Sequence, residues 1–375
     1  MGLSFTHMRI FQVINVRWFN ATSWYALYLS KLLQDAGHEV LVITVPDTET
    51  EKKALEMGLN VKTIDLNSTH PVKLVSACTQ VFRLIRKYNP NIVNCHRGEA
   101  FFWWGILRKL RMGYKLIRTR GDQRLPHCDF FNRYLHSSIA DGVVVTNKRM
   151  ASHFLEKMKL AENRLWLIHG GVDTDYFKFN EQGRRTIREK YGFTSDDVVI
   201  GMLGRFDRVK GQKELIEAVS KTRNNVKNKS IKLFLIGFPT ATSRHEVDTW
   251  LNDNNMADIT TISGKCEDVA ACISAIDVGV IASLWSETIA RAALEIMACQ
   301  RPLISTSVGV MPDLLPKEAI VPPKDVTQLS LKITDVINDQ ELRKRLVTEH
   351  ARTMSQLSGQ NFLKRTLTLY HSVLE

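Results

Sequence analysis

Residues 276–313 run IDVGVIASLWSETIARAALEIMACQRPLISTSVGVMPD, and the order of apolar runs and turns within them decides the fold. Val278 to Ala282 has the composition of a buried strand and Ser283 to Glu287 that of a turn. About a dozen residues at helical spacing follow, and Pro302 to Ser305 forms a second buried strand. This is βαβ grammar built around a helix N-terminus, where unpaired backbone N–H groups and the positive end of the helix dipole make a site for an anion. Glu287 stands at the mouth of this helix and Glu295 eight residues on. A rise of about 1.5 Å per residue displaces the two carboxylates by roughly 12 Å. One can then reach a sugar and the other a ribose, with a diphosphate between them. The spacing alone fits two solvated glutamates on an amphipathic helix better.

The surrounding residues change that balance. Asp277, Ser283, Glu287, the run Leu294-Glu295-Ile296-Met297-Ala298, then Arg301-Pro302-Leu303-Ile304 and Gly309 follow one another in a fixed order. The pattern resembles the donor-site signature of retaining GT-B glycosyltransferases of family 4, in which two glutamates are separated by seven residues. Thr288, Ala290 and Gln300 stand where that family commonly has glycines, and Arg291 is an added charge. Upstream, an apolar run Val198 to Leu203 ends in Gly204-Arg205-Phe206-Asp207-Arg208-Val209-Lys210-Gly211, and Leu233-Phe234-Leu235-Ile236-Gly237 is a further strand ending in glycine. Two cations at one strand end suit a diphosphate on which charge builds as it leaves. The resemblance implies Arg205 and Lys210 on the diphosphate, Glu287 on the transferred sugar and Glu295 on the ribose. It also implies phosphate contacts from the backbone of Thr288, Ile289 and Ala290, with Gly204 and Gly237 beside the nucleotide.

The first half of the chain repeats the βα rhythm. Arg9 to Val16 reads as a strand, Ser23 to Ala36 as a helix, and Asn91 to Cys95 as a strand that delivers His96 to its carboxyl end, where open parallel sheets bind ligands. Phe19-Asn20-Ala21-Thr22-Ser23 replaces the paired glycines that the family has after the first strand, so Asn20, Thr22 and Ser23 are either hydrogen-bonding groups for a ligand or helix caps. Leu116 to Asp122 is a strand running into a turn. Arg118, Arg120 and Arg124, with Asp122 among them, point to a phosphate or carboxylate bound bidentately. Arg120 takes the place of a histidine usual in related enzymes. This arginine turn resembles the branch acting in lipopolysaccharide biosynthesis. Leu165 to Phe177 resembles the family's passage between domains, which puts the boundary after Phe177 and a polar connection over Asn180 to Arg188.

A chain of 375 residues suits two domains, and 44% hydrophobic content marks it as folded. The formal net charge of +12 is uneven. Residues 1–170 hold 24 Lys/Arg against 13 Asp/Glu, whereas the remainder holds 27 against 26. Eleven of the basic residues lie between Arg83 and Arg124, interleaved with Phe101, Phe102, Trp103 and Trp104. The aromatics read as the core face of a helix. The charges read as an interface for an anionic membrane surface or a phosphorylated acceptor. Six cysteines form no CxxC pair and no metal-ligand spacing, which predicts free thiols in a reducing compartment. No signal peptide or membrane span is legible, so the expected location is cytoplasmic, peripheral on the inner face of the cytoplasmic membrane.

The expectation is therefore α/β, with two Rossmann-like domains facing across a cleft (GT-B). Residues 1–177 bind the acceptor, residues 178–358 bind a nucleotide-sugar, and the final helix, 359–375, crosses back to the first domain. The resemblance implies a retaining, metal-independent hexosyl- or heptosyltransferase. It needs no cofactor beyond its nucleotide-sugar substrate and acts on an anionic glycan or glycolipid acceptor, with no nucleic acid partner. The same architecture serves epimerases and phosphorylases, and charge alone would also fit a non-catalytic nucleic-acid binder.

Overall fold

The structure is a computed structural model that describes residues 7–375 apart from 69, 111, 112 and 227. It divides into two compact units, Met1–Gly171 with Gly359–Glu375, and Val172–Ser358. Among the described residues the first unit holds strands β1 (Arg9–Ile14), β2 (Glu39–Thr44), β3 (Asn60–Thr63), β4 (Ile92–Cys95), β5 (Lys115–Arg120), β6 (Gly142–Val145) and β7 (Leu165–Leu167). They pair in parallel in the order 3-2-1-4-5-6-7. The second unit holds β8 (Asp197–Leu203), β9 (Ser230–Ile236), β10 (Thr260–Ile262), β11 (Val278–Ile281), β12 (Leu303–Thr306) and β13 (Ile320–Val321), also parallel, in the order 10-9-8-11-12-13.

Helices cover both faces of parallel sheets, so central strands are buried and mostly apolar, as β1, β4, β6, β11 and β12 are here. In each unit the strand order reverses once, between β1 and β4 and between β8 and β11. Chain leaving two neighbouring strands at such a reversal departs in opposite directions and opens a crevice at the carboxyl ends.

The C-terminal helix Gly359–Leu374 belongs to the first unit. Phe362 packs edge-on against Tyr25, with ring centroids 4.6 Å apart, on the helix Ala21–Asp35. Tyr370 carries its hydroxyl into a buried polar row on the sheet. It accepts from Gln12 Nε2 (3.1 Å) and Asn94 Nδ2 (3.0 Å), while Asn94 Oδ1 accepts from Thr119 Oγ1 (2.8 Å) and Gln12 Oε1 from His96 Nε2 (2.8 Å). Residues from β1, β4 and β5 thus satisfy one another through a single phenol, as buried polar groups must.

Two boundaries differ from the sequence reading. The second unit begins at Val172 rather than after Phe177, because the Val172 N–H donates to Leu357 O (3.0 Å) and Phe177 is buried in the second core. The polar run Asn180 to Arg188 is no linker. It forms most of the helix Glu181–Lys190, capped by Asn180, whose Arg184 and Arg188 pair with Asp277 at 2.6 and 3.2 Å.

Candidate functional site

The crevice of the second sheet gathers most of the residues singled out for the donor. The chain leaves β8 through Gly204 and Arg205 and turns at Lys210-Gly211. It leaves β11 through Ala282 and Ser283 toward Glu287. Lys210 Nζ lies 2.5 Å from Glu287 Oε1, and Ser283 Oγ donates to the same oxygen at 2.6 Å. Glu287 is buried, while Lys210 keeps 23% of its side chain exposed, so the carboxylate is held from inside and the ammonium reaches outward.

Backbone contacts fix this pair. Leu284 N–H donates to Val209 O (2.8 Å), Val310 N–H to Glu287 O (2.7 Å), and Thr306 Oγ1 to Ser283 O (2.6 Å). Two glycines make the approach possible. A Cβ on Gly211 (φ 75°) would lie 2.1 Å from Ala282 O, and one on Gly309 (φ 61°) would lie 1.9 Å from Glu287 O. Neither position admits a side chain, for steric and conformational reasons alike. Three loops, after β8, β11 and β12, interlock around one carboxylate.

The remaining donor residues are arranged less openly. Gly237 lies against the Gly204 carbonyl and donates its N–H to Ser263 Oγ (3.1 Å). Arg205 is exposed and pairs with Asp207 at 3.1 Å. The helix starts at Arg291, not after Glu287, because Ala290 takes a left-handed conformation (φ 54°, ψ 46°) that keeps Thr288, Ile289 and Ala290 out of it. Glu287 therefore sits on the loop before the helix, and the rise of an α-helix does not set its distance from Glu295. Glu295 is buried, and Arg291 Nε donates to its Oε1 at 2.5 Å. Burial pushes the Glu295 carboxyl up, and Arg291 opposes the shift.

In the first unit several expected acceptor residues turn inward. His96 is fully buried, and burial, aided by Arg118, pushes its pKa down to about 3, so it is a neutral core imidazole. Arg118 is also buried. Its Nη1 donates to the carbonyls of Cys95 (3.0 Å) and Thr119 (2.5 Å), and its Nη2 lies 3.4 Å from Asp122. Asp122 also takes Arg120 Nη2 at 2.7 Å, and Arg120 donates to Arg124 O at 3.0 Å. Of the three arginines only Arg124 is exposed, beside His127 Nε2 at 3.2 Å. The arginine turn is thus largely satisfied by its own strand ends, because carbonyls and one carboxylate converge there. Asn20 caps the helix Ala21–Asp35 by accepting from Ser23 N–H (3.0 Å) and stays partly exposed. Sequence reasoning missed the parts of Ser283, whose hydroxyl holds Glu287, and of Ser263 and Thr306, whose hydroxyls tie neighbouring strand ends together.

The description "Glycosyltransferase Family 4" matches residues 22–176, and "Glycosyl transferases group 1" matches residues 183–353. The first domain belongs to glycosyltransferase family 4 and the second to the group 1 glycosyl transferases. A D-inositol 3-phosphate glycosyltransferase of Mycobacteroides abscessus is 23% identical over 266 residues, covering 64% of this chain and 57% of that protein. The chain thus spans just over half the length of this curated relative. A glycosyltransferase of Rickettsia africae superposes with a TM-score of 0.86 at 21% identity, over 99% of this chain and all of that one. Anabaena HepE, solved in complex with UDP and glucose, gives 0.81 at 15% identity over 96% and 98% of the two chains. The fold is that of the GT-B glycosyltransferases. Among the described residues no helix is long and apolar enough to cross a membrane.

Proposed function

We propose that this protein transfers a sugar, with retention, from a nucleoside diphosphate sugar to an anionic glycan or glycolipid presented at a membrane surface, a lipopolysaccharide core intermediate being the acceptor class that fits best. The observation that carries the donor half is the Lys210–Glu287–Ser283 cluster at the strand-order reversal of the second sheet. Lys210 and Arg205 neutralise the diphosphate as its bond to the anomeric carbon breaks. Glu287, held from three loops, positions the sugar. Arg291 and Glu295 hold the ribose end, and backbone N–H groups of Thr288 to Ala290 receive phosphate oxygens. The departing diphosphate takes the proton of the acceptor hydroxyl as that oxygen bonds the anomeric carbon from the same face. Binding of UDP to a neighbour of this fold supports a nucleotide donor. Thermal-shift screening against UDP-, GDP- and ADP-sugars tests it, and a flat response to all three would reject the donor site.

The membrane half rests on the first domain's charge and on what its surface exposes. Phe101 and Trp104 are buried in the core, but Phe130 is 84% exposed, Phe131, Ile106 and Leu110 are also exposed, and Lys109 Nζ stands 5.7 Å from the Tyr134 ring. Aromatic and basic groups side by side suit an anionic lipid interface. Arg108 is spent within the fold on Ile139 O and Asp141, and Arg111 lies outside the described residues. The informative substitution is therefore Phe130→Ser with Phe131→Ser, which should release the protein from vesicles containing phosphatidylglycerol. Wild type that ignores such vesicles at low salt would refute the membrane half and leave the donor half standing.

A further inference from the structure

We propose that Cys266 and Cys272 are an oxidation-sensitive dithiol that closes reversibly to an intrachain disulfide and clamps the loop at the carboxyl end of β10. The two sulfurs stand 3.2 Å apart, with the Cys272 S–H directed at Cys266 Sγ. A disulfide at about 2.05 Å then needs an approach of only about 1.2 Å. Cys266 lies on the partly exposed loop after β10, and Cys272 is buried on the helix Val269–Ala275.

The pair is chemically asymmetric. The hydrogen bond from Cys272 pulls the Cys266 thiol down to about 6 against the opposing effect of burial, with Ser263 and Lys190 assisting, whereas the same contact and burial push Cys272 up. An accessible thiolate beside a buried thiol is the arrangement of an attacking and a resolving cysteine. With a hydroperoxide as oxidant, the Cys266 thiolate attacks one peroxide oxygen, the O–O bond breaks, and hydroxide leaves, giving a sulfenic acid. Cys272 sulfur then attacks Cys266 sulfur, the S–O bond breaks, and water leaves with the Cys272 proton. Two thiols lose two electrons and two protons, and hydrogen peroxide is reduced to two waters. The burial that raises the thiol pKa values of Cys95 and Cys299 leaves them poor candidates for the same reaction.

The loop between the cysteines and β10 is already tied to its neighbour. Ser263 Oγ accepts from Gly237 N–H and donates to Gly264 O (2.9 Å), and Lys265 Nζ lies 5.3 Å from the Phe238 ring centroid. A disulfide would pin the far side of this loop to the helix, so oxidation would stiffen the segment beside Gly237.

The sequence makes the test clean. Trypsin cleaves after Lys265 and Arg291, releasing one peptide that holds both cysteines and no other. The native full-length protein is exposed to hydrogen peroxide, quenched with iodoacetamide and digested. The expected peptide is two hydrogens lighter than the reduced form, unalkylated, and restored by dithiothreitol. Cys272→Ser should instead accumulate a sulfenic acid at Cys266 that dimedone traps, and Cys266→Ser should give neither product. Hydrogen exchange over 263–268 should slow on oxidation of wild type and not of Cys272→Ser. The proposal is overturned if both thiols are still alkylated at a peroxide dose that oxidises the exposed Cys128, or if the bond forms only after denaturation.

Discussion

Replacing Lys210 by methionine separates the two things its ammonium does, and the structure sets the size of each. Glu287 would keep the Ser283 hydroxyl but lose the Lys210 cation while remaining buried. Breaking a fully buried ion pair costs about 3–5 kcal/mol. Lys210 is partly exposed and Ser283 still donates, so the expected loss of stability is about 2 kcal/mol, discounted for solvent screening. Adding Glu287→Gln removes the stranded charge, and an amide can still accept from Ser283, so the double variant should recover all but about 1 kcal/mol. Turnover should not recover. Loss of one preorganised charge at a leaving group costs about 3 kcal/mol, roughly a hundredfold in rate, and the double variant lacks two. Urea denaturation gives the stabilities, and release of nucleoside diphosphate gives the rates once thermal shift has identified a donor. A folded Lys210→Met protein with near-normal turnover, or a double variant that regains its rate, would show the pair to be scaffolding and sink the assignment.

Gln300 sits left-handed (φ 55°) at the end of the helix Arg291–Ala298, with its N–H on Met297 O and the Arg301 N–H on Ile296 O, so Gln300→Gly should raise stability by roughly 0.5–1 kcal/mol, seen as a higher melting temperature. Tyr370→Phe strands the buried amides of Gln12 and Asn94 and should cost about 2 kcal/mol in urea denaturation; an unchanged midpoint would mean the row is satisfied some other way. His96 titrates near pH 3 when folded and near 6.5 when unfolded, so its contribution is intact above pH 6.5 and drains away as pH falls toward 3. At pH 5 this amounts to about 2 kcal/mol, and His96→Gln should show a correspondingly shallower loss of stability between pH 7.5 and 5.

The fold was legible where burial on both faces writes a strand as an apolar run, as in β6 (GVVV), β11 (VGVI) and most of β8 (DVVIGML). It was less legible where a polar side chain is satisfied from far along the chain. Arg184 and Arg188 made residues 180–188 read as linker because their partner, Asp277, is about ninety positions away. Arg118 read as a ligand for the same reason. An arginine in a strand signals an anion only until the carbonyls of neighbouring strands are counted, and Cys95 O, twenty-three positions away on β4, is invisible to local inspection even where Asp122, four residues on, is not.

The site shows the same division more sharply. Order along the chain placed Lys210 and Glu287 in one site but assigned them to opposite ends of a ligand, whereas the structure joins them directly. Ala290 stands where the family keeps a glycine, and the backbone there is left-handed all the same, so the position retains the conformation after losing the residue that adopts it without strain. A local cost of about 1 kcal/mol is tolerated because the loop on either side is fixed from elsewhere. Glu287 O is held by Val310, Glu287 Oε1 by Ser283 and Lys210, and Ser283 O by Thr306. The loop's course is therefore set by strand ends that lie side by side only because the sheet order reverses between β8 and β11, and that reversal is what makes a carboxylate in this loop and a lysine seventy-seven residues earlier a single chemical unit.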